Sequence, residues 1–410
     1  MDSIERHEEL RRNSTEPLDR LHRSNFGQFF TPEPVARYMA SLLDFSPGDE
    51  VRLLDPGCGV GSLTAAVARL ADQRQLHATC YEIEPSFYDG LQQTLSGLPN
   101  VQAEVKACDF IQHSILRLAA CDKPIFTHAI LNPPYRKIGV ASTYRELIRK
   151  IGLETSNLYT CFLACSISLC RQGGQVVAIV PRSFMNGPYF KPFRHWLLSH
   201  VAITHIHVFE RRDRAFAEDN VLQENVILKM VVGAPQGPVD ISSSCDQTFT
   251  NLSQRSCSFE EVVVPGDGEQ FIHIPSSDRA HAIGLPGVSM GELGIDVCTG
   301  PVVDFRLREH LRKEPSANTV PLLYATHFTG GHFEWPKEGR KPNAIVLNAD
   351  TERWLMPRGC YVVVRRFTSK EEKRRVVASL LGDDWLSSDM LGFENHLNVI
   401  HRARRGIPPS

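Results

Sequence analysis

Val51-Arg-Leu-Leu-Asp-Pro-Gly-Cys-Gly-Val-Gly61 decides the fold. Its first half has the apolar character of a buried parallel strand, and its second half is a glycine-rich turn leading into a helical stretch at 62–71. Gly57, Gly59 and Gly61 allow a tight turn and a close approach of backbone to a ligand, with helix N–H groups available for a carboxylate. Such a turn is weak evidence for any one nucleotide. The next strand sharpens it. Leu76-His-Ala-Thr-Cys-Tyr-Glu82 ends in an acidic side chain 27 residues after Asp55, where it is placed to accept hydrogen bonds from ribose hydroxyls. A third strand at 103–108 runs into Asp109-Phe110, one acceptor for an adenine amine and one aromatic flank. Each acid taken singly reads equally well as a solvated strand end. Three in a row describe a pocket for an adenosine with a small charged tail. S-adenosylmethionine suits it better than NAD, because no second glycine-rich crossing for a dinucleotide is present. The fold class is α/β, a Rossmann-like sheet.

Further along, the apolar run Phe126-Thr-His-Ala-Ile-Leu131 is stopped by Asn132-Pro133-Pro134-Tyr135. Consecutive prolines end a strand where ladder hydrogen bonds cease, and Pro133 has no N–H to give. The Asn132 side-chain oxygen and the Pro133 carbonyl are then free to accept both protons of an –NH2 group, and Tyr135 offers an aromatic face to the ring that carries it. The N6 lone pair of adenine is delocalised into the purine. Two acceptors on its protons favour a pyramidal, nucleophilic nitrogen. Taken alone, the same tetrapeptide is also an ordinary turn after a strand.

In this order the motifs resemble those of the amino-group DNA methyltransferases of the gamma class, the adenine-N6 enzymes of restriction–modification systems. Upstream, Gly27-Gln-Phe-Phe-Thr-Pro32 is similar to the segment that closes over the methionine end of the cofactor in that family, with Thr31 as the implied contact. Downstream, Asn157-Leu-Tyr-Thr-Cys-Phe-Leu and Gly173-Gly-Gln-Val-Val-Ala-Ile-Val-Pro181 resemble motifs that support the target-base pocket. Phe216, ahead of the strand Asn225-Val-Ile-Leu-Lys-Met-Val-Val232, matches the aromatic residue that stacks on the flipped adenine opposite Tyr135, with Phe209 as an alternative. The glycine turn departs from the family in having Gly57 where alanine is usual. The resemblance spans about residues 20–235. It implies a cofactor site of Thr31, Asp55, Gly57, Gly59, Glu82, Asp109 and Phe110, and a catalytic tetrad of Asn132, Pro133, Pro134 and Tyr135.

Composition agrees. At 410 residues the chain is too long for one ordinary core, and 42% apolar with 22% charged content is that of a globular protein. No run approaches the roughly 18 apolar residues of a membrane span, and the charged N-terminus is not that of a signal peptide. The 11 cysteines form no C-x-x-C pair and read as reduced thiols, with a cytoplasmic location expected and no metal site among them or the 16 histidines. The net charge of −2 is unevenly spread. Residues 301–410 carry 18 Lys and Arg against 13 Asp and Glu, whereas the first 300 carry 27 against 34. Such asymmetry points to a C-terminal segment that meets phosphate, with Arg365 and Arg366 as candidates; a solvated helix face is the competing reading for 369–375.

Pro and Gly in Val232-Gly-Ala-Pro-Gln-Gly-Pro238 mark a linker, after which short strands replace the strand–helix rhythm. Three segments follow: a charged arm at 1–20, a catalytic domain at 21–237 and an α+β target-recognition domain at 238–410. The last contains Gly300-Pro-Val-Val-Asp-Phe-Arg306 and Gly392-Phe-Glu-Asn-His-Leu-Asn398, which look like the PstI/BsuBI type of modification methylase and imply a palindromic CTGCAG-like site. Members of that type continue past the point where this chain stops. The resemblance implies double-stranded DNA as substrate, base flipping, and a cognate endonuclease acting as a separate protein. RNA and protein-glutamine amino methyltransferases also use Asn-Pro-Pro-Tyr, and a DNA-binding defence component with a relict pocket is a third reading.

Overall fold

In a computed structural model of the protein, the described residues are 31–45, 50–71, 74–209, 224–275, 288, 290–329, 332–367 and 376–408. The chain divides into two units, Met1–Ala280 and His281–Ser410.

The first unit is built on a nine-stranded sheet. Its leading strands are β1 (Val51–Pro56), β2 (Leu76–Tyr81), β3 (Val101–Lys106), β4 (Phe126–Leu131) and β5 (Cys170–Pro181). They continue as β6 (Val201–Phe209), β7 (Asn225–Val232), β8 (Val239–Ser244) and β9 (Ser253–Cys257). The order across the sheet is β3-β2-β1-β4-β5-β7-β6-β8-β9. The first five strands are parallel, and β7 runs antiparallel between β5 and β6. The strand order reverses at β1 and β4, so a crevice opens beyond their carboxyl ends, where ligands of open α/β sheets bind. All six residues of β4 are buried on a strand covered on both faces, and its two polar members are paired, Thr127 Oγ1 with Arg52 N at 2.9 Å and His128 Nε2 with the Asp44 carbonyl at 3.0 Å.

Helices cover the faces: α1 (Glu33–Ser41), α2 (Ser62–Leu70), α3 (Tyr88–Ser96), α4 (Phe110–Ala119), α5 (Thr143–Arg149), α6 (Leu158–Leu169) and α7 (Lys191–His200). On one face, Val35, Ala36 and Met39 of α1 share a core with Ala66 and Val67 of α2 and with Leu53, Ile130 and Ile179 of the sheet. On the other, Phe110 and Ile115 of α4 pack with Leu163 and Ile167 of α6 and with Leu131 and Ala178. The α6 helix is almost wholly buried, as its apolar composition all round requires.

The boundary expected near 237 is corrected. Gly233 (φ +63°) turns the chain, and β8 then adds beside β6 in parallel, with β9 antiparallel to it. Val239 and Ile241 lie in the same core as α4 and α6, so the residues after the Pro-Gly stretch complete the first sheet.

The second unit has its own two cores. Its strands are β10 (Asp296–Thr299), β11 (Leu311–Arg312), β12 (Thr319–Leu323), β13 (Phe328–Thr329), β14 (His332–Phe333), β15 (Ala344–Val346), β16 (Met356–Pro357), β17 (Tyr361–Arg365), β18 (Ala378–Leu381), β19 (Met390–Phe393) and β20 (Leu397–His401). They form a four-stranded sheet β10-β20-β17-β18, a five-stranded sheet β11-β15-β12-β19-β16 and a ribbon β13-β14. Each cysteine of the chain is a free thiol. Among the described residues no helix is long and apolar enough to cross a membrane.

Candidate active site

The glycine turn after β1 is shaped by backbone bonds. The N–H groups of Gly57 and Cys58 donate to the Tyr81 carbonyl at 2.8 and 3.0 Å, folding the turn over the end of β2. Gly57, Gly59 and Gly61 have φ of +76°, +54° and +83°, a region open to glycine and strained for other residues. Gly61 is the N-cap of α2, so the first turn of that helix faces the crevice. Glu82 locks the arrangement. It is 4% exposed; its Oε2 accepts from Gly59 N at 2.8 Å, and its Oε1 accepts from Ile83 N at 2.9 Å and Glu84 N at 2.8 Å. Burial raises its carboxyl, opposed by those three donors. Three of about four lone-pair sites are thereby used, which leaves capacity for a ligand hydroxyl.

A pocket of about 170 Å³ opens over this turn. Its walls bring together Thr31, Gly57, Gly59, Glu82, Asp109, Phe110, Asn132 and Pro134, drawn from five separate stretches of the chain. Asn132 sits at the carboxyl end of β4. Its Nδ2 donates to Thr31 Oγ1 at 3.1 Å, and its Oδ1 accepts from the Tyr135 hydroxyl at 2.9 Å. The same hydroxyl reaches the Ile179 carbonyl at 3.0 Å. The amide is therefore fixed in orientation from both sides. The Asp109 carboxylate caps α4, Oδ1 accepting from Gln112 N at 2.8 Å, while Oδ2 accepts from the Tyr144 hydroxyl at 2.7 Å.

Not every expected residue reaches the pocket. Asp55 is fully buried beneath the turn: Oδ2 accepts from Thr64 N at 3.2 Å and Thr64 Oγ1 at 2.7 Å, while Oδ1 is buried without a partner. Burial pushes its carboxyl up to about 7, against the pull of Thr64. Its place is that of a brace between β1 and α2. Pro133 is buried, and neither it nor Tyr135 lines the pocket. Tyr135 is half-buried, with its ring edge-on to Tyr159 at 6.3 Å. Burial raises its phenol, so the hydroxyl stays a donor. Phe216 lies outside the described residues. The alternative, Phe209, is buried against His207 and Phe249 in the core and is no pocket wall. Arg365 and Arg366 belong to the second unit, where the Arg366 guanidinium lies 5.4 Å from the centre of the exposed Phe367 ring. The basic cluster at 373–375 lies outside the described residues.

Sequence reasoning missed Arg136, Tyr144 and Phe162, which also line the pocket. For Tyr144 a signal existed: Ser142 followed by Tyr144, Leu147, Ile148 and Ile151 is an N-cap before a helical apolar stripe.

Residues 82–216 match the family described as Eco57I restriction-modification methylase. Over 401 residues the chain is 46% identical to the type II methyltransferase M.BsuBI of Bacillus subtilis, covering 94% of this chain and 80% of that protein. Over 411 residues it is 40% identical to the type II methyltransferase M.PstI of Providencia stuartii, covering 96% and 81%. Among solved structures, a modification subunit assigned to a type I restriction enzyme of Vibrio vulnificus YJ016 superposes with a TM-score of 0.50 at 15% identity, over 70% of this chain and 68% of that one. A type I restriction–modification assembly gives 0.51 at 17% identity, over 69% and 64%. Those structures share the fold. Identity of this extent, over 80% and 81% of the two curated relatives and through both units of this chain, places it in the type II methyltransferases of restriction–modification systems.

Proposed function

We propose that this methyltransferase modifies the N6 amine of adenine in a palindromic site of duplex DNA. The observation that carries the reading is the fixed amide of Asn132, an oriented acceptor on the wall of the same pocket as Glu82 and the glycine turn. The pocket fits S-adenosylmethionine: a buried acid at the tip of β2 meets a turn whose three glycines have positive φ and which leads into the first turn of α2. Glu82 would hold the ribose hydroxyls. Gly57, Gly59 and the N–H groups of α2 would hold the carboxylate, Asp109 and Phe110 the adenine, and Thr31 the methionine end. When bound, the cofactor supplies a methyl group activated by a positively charged sulfur.

The protein's share of the chemistry is positioning. Asn132 Oδ1, which accepts from Tyr135, would with the Pro133 carbonyl take the two N6 protons. The Tyr135 hydroxyl and Thr31 keep that amide from flipping. Tyr135 and Phe216 would sandwich the base, offsetting part of the cost of unstacking it. The proton lost from nitrogen passes to water, and no general base is assigned. The second unit would read the target, a CTGCAG-like sequence by resemblance to the PstI/BsuBI type. A cognate endonuclease would act separately, in a bacterial cytoplasm.

Labelled methyl transfer to duplex DNA, RNA and protein in parallel, followed by nucleoside analysis, tests the reading. Duplex DNA alone should be labelled, as N6-methyladenine. Asn132→Ala should abolish transfer while keeping cofactor affinity within about tenfold, because it removes the acceptor for the reacting amine and only one side chain of the pocket wall. N4-methylcytosine, label in RNA or protein, or full turnover of the variant would overturn it.

A further inference from the structure

The excursion between Asn132-Pro133-Pro134-Tyr135 and α6 is closed on itself. Ile138 N donates to the Ser156 carbonyl at 2.9 Å and Leu158 N to the Arg136 carbonyl at 2.8 Å, so the chain enters and leaves side by side. Arg145 and Arg149 of α5 both pair with Glu154. The body of the excursion is α5, whose cap Ser142 accepts from Tyr144 N at 3.3 Å. Tyr144 in its first turn lines the pocket, and its hydroxyl is the donor to Asp109 Oδ2.

A phenol has one proton. With that proton given to a carboxylate at 2.7 Å, the oxygen of Tyr144 has only lone pairs left for a ligand. The carboxylate beside it has no donor either. Burial, and then the bond to Asp109, push the phenol up to about 12, so the arrangement holds through neutral pH. Together the two side chains present only acceptors to the pocket, the Arg136 guanidinium being a separate donor on its wall. We propose that Tyr144 is a specificity-determining residue for the cofactor: with Asp109 it presents acceptors to both protons of a 6-aminopurine and rejects a 6-oxopurine. A 6-oxo group would set a third acceptor against two others and leave its own oxygen without a donor from either. The inference rests on the reading of Asp109 as the adenine end of the pocket. It also makes the excursion that follows the catalytic tetrad part of the cofactor site.

Calorimetric titration of the intact protein with S-adenosylhomocysteine and with S-inosylhomocysteine tests it without turnover. The wild type should prefer the amino compound by on the order of 100-fold. Tyr144→Phe should cut that preference by about three- to tenfold, through weaker binding of the amino compound alone. Asp109→Asn, which keeps an oxygen for the cap of α4 but places a donor in the pocket, should cut it further. Equal losses for both ligands in Tyr144→Phe, or no loss, would make the hydroxyl a brace for α5 and overturn the proposal while the adenine end stands. An unaltered preference in Asp109→Asn would move the adenine end elsewhere and overturn both. Tyr144→Leu gives the same comparison should the phenylalanine variant not fold.

Discussion

Asp55 and Glu82 end neighbouring strands, and both were expected at the cofactor. Glu82 is met by three backbone N–H groups and faces the pocket, whereas Asp55 turns down onto Thr64, nine residues further along. A strand-tip acid has both options, and the choice depends on the partner that folding brings to it; a threonine in the first turn of the next helix was the available clue. The burial of Asp55 has a consequence for stability. Its carboxyl is raised from 3.8 to about 7 in the folded protein, so the folded state holds a proton that the unfolded chain has released between those values. The contribution of Asp55 is fullest below pH 4 and is lost as pH rises through about 7. Asp55→Asn cannot ionise. Urea unfolding at pH 5, 6, 7 and 8 should show the wild type losing ground to the variant by a few kcal/mol across that range, with no further change above it. A difference independent of pH would mean that Asp55 does not titrate there.

The glycine turn and α2 act as one element, held between the Tyr81 carbonyl and Asp55. Gly61 is its tightest point. A Cβ there would stand 3.0 Å from Leu91 Cδ1 and 3.2 Å from Thr94 Cγ2, on a backbone at φ +83°. Gly61→Ala should therefore destabilise the protein by roughly 1–3 kcal/mol and weaken the cofactor, since strain and crowding fall on the turn that cradles it. Thermal unfolding and calorimetry with S-adenosylhomocysteine would check both; wild-type values in both would show that α3 yields without effect. This element was legible because its glycines are needed where they stand. So was β4, whose expected bounds coincide with the observed Phe126–Leu131. The strands β8 and β9 were not. A Pro-Gly turn between strands of one sheet has the composition of a linker, and only pairing with β6, more than thirty residues earlier, tells them apart. The Tyr144–Asp109 bond escaped for the same reason: two local patterns say nothing of their meeting across 35 residues.

At the scale of the molecule the sheet sets where the chain divides. A fragment ending at Gly237 lacks β8 and β9, bares the edge of β6 and removes Val239 and Ile241 from the core. Each such side chain contributes roughly 1.5–3 kcal/mol. That fragment should aggregate or unfold at low urea, whereas one ending at 280 should stay folded and bind S-adenosylhomocysteine; equal stability would make the two strands dispensable. If the second unit reads DNA, the 280-residue fragment should also lose site preference. Within that unit Arg366 leans on an exposed aromatic ring, and its Nη1 donates to the Asn395 carbonyl at 3.3 Å, while Arg365 ends β17 opposite Leu397. Substituting both by Gln should weaken duplex binding and reduce the log–log salt slope by up to about one per lost phosphate contact. If either side chain instead reads a base edge, discrimination at one position should relax by roughly 1–3 kcal/mol with the salt slope little changed. Affinity, slope and preference all as in the wild type would place the DNA surface away from the end of β17.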